Sequence, residues 1–207
     1  MVLTRSSTAL AALVIHLVTQ DWPNAINDII HNFQTVDFPN VSIENKCIAL
    51  LEILTVIPEE YQTCRLEKAQ KREVRNGIKN GCSSVLELFL QLLNSGQSSI
   101  IEKTIKSLAS WLALELPLDQ TKQLIDVCFE TVKNSKYFDG SVDAIMNGLY
   151  SPSSHQYTQT IFSFFPNIIS LNSLLDAAIQ AQDQEALLGY SKIICGLGEN
   201  HCRLVLR

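Results

Sequence analysis

The six cysteines, Cys47, Cys64, Cys82, Cys128, Cys195 and Cys202, and the four histidines, His16, His31, His155 and His201, could ligate a metal or act as nucleophile and base. Their spacing argues against both roles. Zinc sites need closely paired ligands such as C-x2-C or H-x3-H, and Cys195, His201 and Cys202 do not supply that spacing. The histidines fall on separate segments with no evident nucleophile beside them. Gly196-Leu197-Gly198 begins like a dinucleotide fingerprint but lacks the third glycine and a preceding strand. There is no P-loop, G-x-S-x-G or H-E-x-x-H. The sequence therefore predicts no metal, no cofactor and no enzyme, and leaves binding as the expected activity.

Charge gives one positive signal. Arg65, Lys68, Lys71, Arg72, Arg75 and Lys79 fall within fifteen residues, opposed only by Glu67 and Glu73. Such a run is either a solvated helix face or a basic ridge that meets an acidic partner surface. No aromatic residues interleave with the cations, as stacking on nucleic acid would need. The chain as a whole has 16 basic and 21 acidic residues and a net charge of −5. That balance speaks against a dedicated nucleic-acid binder.

The remaining composition is that of a packed protein. Hydrophobic residues make up 46% of the 207 and charged residues 18%, which excludes disorder. Cys47 and Cys128 sit inside apolar patterns, where a thiol acts as a small hydrophobe. A core of this size needs no covalent staples, so reduced thiols and an intracellular compartment are expected. Arg5 followed by Thr8–Val18 loosely resembles a signal peptide, but His16 interrupts the run and no small-x-small cleavage site precedes Asp21. No segment reads as an apolar run of about 18 residues, so no membrane contact is expected. Asn40-Val41-Ser42 is a glycosylation sequon in a chain with no route to secretion.

These residues are positioned by helices. An apolar quartet spaced i, i+3, i+4, i+7 recurs as Leu10/Leu13/Val14/Leu17, Ile26/Ile29/Ile30/Phe33, Cys47/Leu50/Leu51/Leu54 and Val85/Leu88/Phe89/Leu92. It continues as Ile125/Cys128/Phe129/Val132, Val142/Ile145/Met146/Leu149 and Ile161/Phe164/Phe165/Ile168. Each quartet lays a stripe along one helix face. Punctuation divides the stripes. Asp21 is expected to cap a helix with Pro23 in its first turn. Ser42 or Asn45 caps the next, which Pro58 should stop at Ile57. Helices are expected over 82–93 and 98–114, then from Asp119 to about 133. Others should run from Asp139 or Ser141 to about 150 and from 156 to 182, the latter kinked or divided at Pro166. The last begins at Asp183 and ends at Gly196 or Gly198. Trp111 should pack in the core, and Trp22 should pin a loop to a helix.

Alternate helices start near 42, 98, 141 and 184. The later intervals match the period of about 40–47 residues of HEAT and armadillo arrays. The fold class expected is all-α: an α-solenoid of HEAT-type helix pairs in a right-handed stack of about five repeats. The approximate bounds are 1–37, 42–95, 98–135, 139–182 and an incomplete 183–207, in a single array. The apolar first helix and the terminal Leu204-Val205-Leu206-Arg207 do not read as polar capping repeats, so the interior of a longer array is expected.

Three stretches go further than a generic helix. They are Leu50-Leu51-Glu52-Ile53-Leu54-Thr55-Val56-Ile57-Pro58-Glu59-Glu60 with Gln62-Thr63 and Arg65-Leu66, Ser110-Trp111-Leu112 with Leu116-Pro117-Leu118, and Phe138-Asp139, Ser141-Val142 and Ala144-Ile145 followed by Leu197-Gly198-Glu199-Asn200-His201. With the opening Val2-Leu3-Thr4-Arg5, their order and spacing resemble the N-terminal arch of the β-karyopherin family of nuclear transport receptors. The resemblance implies a HEAT-repeat superhelix that carries protein cargo through nuclear pores and shuttles between cytoplasm and nucleus. It also implies binding of Ran-GTP and contact with Phe-Gly nucleoporins, with no direct nucleic acid. Family members are several times longer, so Ran binding belongs to the full-length receptor. In such a scaffold the second helix of each pair lines the inner surface. That nominates Lys71, Arg72, Arg75 and Lys79, with Asp126 and Glu130, as partner-binding residues. The competing expectation is a helical-repeat scaffold or adaptor unrelated to nuclear transport, such as a phosphatase or trafficking adaptor.

Overall fold

The structure, a computed structural model, describes the backbone of residues 2–205 and the side chains of residues 4–201. Cys202 and the run Leu204-Val205-Leu206-Arg207 lie outside the described side chains, as do Val2 and Leu3. The described residues form ten α-helices and a short 3₁₀ turn at Ser154–Gln156, with no strand among them. The helices are α1 (Val2–Leu17), α2 (Ala25–Thr35), α3 (Ile43–Thr63), α4 (Lys68–Lys79), α5 (Cys82–Leu93), α6 (Ser98–Leu112), α7 (Leu118–Thr131), α8 (Phe138–Leu149), α9 (Thr158–Ala181) and α10 (Gln184–Val205). They divide into two compact units, residues 1–114 and 115–207.

In the first unit α1, α3 and α6 stack side by side, while α2 and α5 pack together and against α3 and α6 respectively. In the second, α7 packs on α8 and α9, and α10 on α8 and α9. Each unit is thus an all-helical stack of the HEAT type, with apolar stripes facing neighbouring helices. Ile26, Leu51, Leu54, Ile57, Ile105, Leu108 and Trp111 are fully buried in the first unit, as are Phe129 and Phe164 in the second.

Several expectations need correcting. The α1 quartet does not face inward as read, because Leu13 is 47% exposed. The buried stripe is Ser7, Ala11, Val14, Ile15 and Val18, whose small members let α3 approach closely. Asp21 does not cap α2; that position is Asn24. Trp22 instead donates its indole N–H to Asp28 at 2.7 Å, pinning the loop to α2 as expected. Ser42 is the cap of α3, accepting from the Asn45 amide at 3.2 Å.

Pro58 does not stop α3, which runs through it to Thr63. A proline inside a helix removes the amide that would bond to the carbonyl four residues back. Here that carbonyl belongs to Leu54, and it accepts the indole N–H of Trp111 at 2.8 Å. The orphaned acceptor is thereby satisfied inside the core. Pro166 likewise lies inside an unbroken α9. The carbonyl it orphans belongs to Phe162, an exposed residue, where water can serve. Because α9 is continuous, its 24 residues are long and apolar enough to cross a membrane, contrary to the sequence reading. Ile161, Phe164, Ile168, Leu171 and Ala178 are nonetheless buried within the protein fold.

Neither Gly196 nor Gly198 ends α10. A Cβ at Gly196 would lie 2.7 Å from the Tyr150 ring, so that glycine allows close packing rather than termination. The helix is distorted instead at His201 (φ −128°, ψ 23°).

Candidate protein-binding surface

The basic run forms α4, held by its apolar face: Val74, Gly77 and Ile78 are buried. The connection from α3 is closed by polar contacts. The last carbonyls of a helix have no amide partners within it. The Glu60 carbonyl accepts from the Cys64 amide at 2.9 Å, the Tyr61 carbonyl from the Cys64 thiol at 2.9 Å, and the Gln62 carbonyl from Lys71 Nζ at 3.1 Å. Tyr61 Oη donates back to the Lys71 carbonyl at 3.2 Å, and the Lys71 ammonium lies 5.3 Å from the Tyr61 ring centroid. Lys71, nominated from sequence for partner binding, therefore straps α4 to the end of α3. Lys68 and Arg72 are exposed, as is Arg65 ahead of the helix, while Arg75 and Lys79 are half-buried.

The two acidic nominees sit one turn apart on α7. Asp126 pairs with Lys122 at 2.5 Å and accepts from Asn167 of α9 at 3.2 Å. Lys122 in turn lies 5.7 Å from the Phe164 ring centroid. Glu130 pairs with Lys133 at 3.1 Å, both largely exposed. Asp126 thus joins α7 to α9, whereas Glu130 meets solvent. The four α4 cations lie on one helix of the first unit, and the α7 acids on one helix of the second. The Lys122–Asp126 spacing was readable as an i, i+4 pair; Asn167 carried no signal in sequence.

Reactive groups are not gathered. Among the described residues, no three or more His, Cys, Asp or Glu converge as metal ligands would. Burial pushes the Cys128 thiol up to about 12 and that of Cys82 to about 11, away from the thiolate form a nucleophile needs. Cys195 is exposed. Burial chiefly, and the neighbouring Asp139 next, raise the Asp143 carboxyl, with Lys192 opposing them. A cleft of about 210 Å³ between Lys133, Phe138, Asp139, Asp183 and Tyr190, and one of about 130 Å³ between His16, Leu66 and Val74, fall below the roughly 300 Å³ at which small-molecule sites begin.

Two helical stacks with apolar stripes turned inward define a class, the helical-repeat proteins. Residues 1–145 match the family described as Exportin 1-like protein, and the chain belongs to that family. It is 39% identical over 207 residues to Importin-13 of Bos taurus and of Homo sapiens, covering 99% of this chain and 21% of theirs. It is 24% identical over 219 residues to Transportin MOS14 of Arabidopsis thaliana, covering 98% of this chain and 21% of that one. The chain therefore spans about a fifth of the length of these relatives.

Proposed function

We propose that this chain is a segment of a nuclear transport receptor. In that role it forms part of a HEAT-repeat wall that binds protein cargo during a Ran-GTP-regulated cycle of import and export. The observation that carries the reading is agreement along the whole chain with Importin-13 relatives, in a fold whose exposed charges rather than pockets offer a recognition surface. The five approximate repeats, 1–37, 42–95, 98–135, 139–182 and 183–207, are parts of one longer array. The receptor works without catalysis, by mutual exclusion and shifts between conformations of the array. Its partners are GTP-loaded Ran, folded protein cargo and Phe-Gly nucleoporins, with no direct contact to nucleic acid or membrane, and it shuttles between cytoplasm and nucleus. Charges on α4 (Lys71, Arg72, Arg75 and Lys79) and on α7 (Asp126 and Glu130) are the partner-facing set. Of these, Lys71 and Asp126 act mainly by holding their helices in place.

Shuttling is the test. Full-length protein fused to a fluorophore should refill a photobleached nucleus from the cytoplasm within minutes. Permanent residence in either compartment would remove the transport reading.

A further inference from the structure

The cations of α4 are more ordered than a solvated face requires. Lys68, Arg72, Arg75 and Lys79 stand at i, i+4, i+7 and i+11. At 100° per residue they fall within an arc of about 60°, along about 16 Å of helix. No acidic side chain lies on that stripe; Glu73 is more than a quarter-turn away and Glu67 precedes the helix. Like charges three and four residues apart oppose helix formation, so the arrangement acts against the stability of α4 itself. It is also opposite in sign to its surroundings. Residues 65–79 carry six basic and two acidic side chains of the 16 and 21 in the chain. The stretch is therefore net +4, and the rest of the chain is net −9.

We propose that this stripe is a docking site for an acidic, extended peptide segment of a partner protein. In an extended strand alternate side chains point the same way, about 6.6 Å apart, close to the rise of about one helical turn between successive cations. About six extended residues, with carboxylates at alternate positions, span the length of the stripe. Arg72, exposed, supplies a planar guanidinium group that holds a carboxylate bidentately, and Arg75, half-buried, adds positive charge to the stripe. The acidic remainder of the chain repels such a peptide elsewhere and directs it to α4. A nucleic acid has no stacking platform here, because no aromatic residue lies in α4. The site rests on the reading of the chain as a binding scaffold, and names the chemistry that one face of it selects.

The test is fluorescence anisotropy with full-length protein and a labelled peptide of alternating Glu and Gly, about ten residues long. Binding is expected at about 30 mM salt and should weaken markedly at about 300 mM. The variant K68E/R72E should bind at least about tenfold more weakly. Both positions are exposed, Glu at position 68 opens the helix where an acid is favourable, and Glu at an exposed helical position is a good helix former, so helicity by circular dichroism should be unchanged. K106E, at an exposed lysine of α6, should bind as the parent does. Equal peptide affinity in K68E/R72E would overturn the proposal, as would tighter binding of a single-stranded oligonucleotide of equal charge. Binding of GTP-loaded Ran by the parent, titrated beside the peptide, separates this site from the receptor reading. If the parent binds Ran but not the peptide, the stripe alone is wrong.

Discussion

The α3/α6 pair of the first unit and the α8/α10 pair of the second share one register and are locked by different chemistry. In both, side chains about fifty positions apart meet, and the two helices run in the same direction. Between α3 and α6, Glu44 meets Ser99, Glu52 pairs with Lys103 at 2.8 Å and Glu59 accepts from Ser110 at 3.2 Å. Behind these polar rungs the Trp111 indole fills the core and serves the carbonyl freed by Pro58. Between α8 and α10, a T-shaped Phe138–Tyr190 pair at 5.3 Å stands at one end. At the other, Tyr150 donates to Glu199 at 3.0 Å. The buried His201 ring lies 3.0 Å by its Nε2 from the Leu149 carbonyl, at the last residue of α8. Gly189 and Gly196 admit the Phe138 and Tyr150 rings. One seam is closed by a large side chain and the other by missing ones, so the same stacking is reached with opposite sensitivity to substitution.

That contrast can be broken most forcefully at Trp111. Trp111→Ala should cost about 3–5 kcal/mol, read as loss of hydrogen-exchange protection in α3 and α6. Trp111→Phe keeps most of the volume but leaves the Leu54 carbonyl unpaired, at about 1–3 kcal/mol. In a Pro58→Ala background the restored amide can reach that carbonyl, so the cost of Trp111→Phe should fall by about 0.5–1 kcal/mol in a double-mutant cycle. Strict additivity would show that the indole does not compensate for the proline.

In the second seam, adding atoms should hurt. A Cβ at Gly189 would lie 2.4 Å from the Phe138 ring, and Gly189→Ala should destabilise by about 1–3 kcal/mol through overpacking. His201→Ala should cost less than Trp111→Ala, about 1–2 kcal/mol, because Ser154 Oγ also donates to the Leu149 carbonyl at 3.2 Å. Gly198 is the internal control. A Cβ there meets nothing within 4 Å, so Gly198→Ala should stabilise α10 by about 0.5–1 kcal/mol. Differential scanning calorimetry would rank all three.

The smallest effect concerns thiols. Cys128 and Cys82 are raised in the fold to about 12 and about 11 from an ordinary value of 9.0. Above the ordinary value the unfolded chain releases these protons and the folded one keeps them. Their contribution to stability is therefore intact below pH 9 and is lost as pH climbs towards 11 and 12. Urea midpoints at pH 8 and pH 10 should differ less in a Cys82→Ala/Cys128→Ala variant than in the parent. In the native protein iodoacetamide should modify the exposed Cys195 well before Cys128.

Much of this could be read from the chain. The stripe of α5 and its bounds, the α3 cap narrowed to Ser42 or Asn45 and the buried Trp111 follow from local pattern. What escaped reading depends on distant partners. Pro58 looks like a helix stop until an indole 53 residues onward supplies the missing donor. Gly196 looks like a helix end until Tyr150 is seen against it. The inward face of α1 drifted because Ser7 and Ala11 bury well without being strongly apolar. At the candidate surface, the density of positive charge on α4 was plain in sequence, whereas the internal engagement of Lys71 and Asp126 depended on the Gln62 carbonyl and on Asn167.

Binding of Ran by the full-length protein tests the receptor reading most directly. Titrated by surface plasmon resonance, GTP-loaded Ran should bind at least about a hundredfold more tightly than the GDP-loaded form, a coupling of about 3 kcal/mol. Equal affinity for the two nucleotide states, or no binding of either, would contradict it.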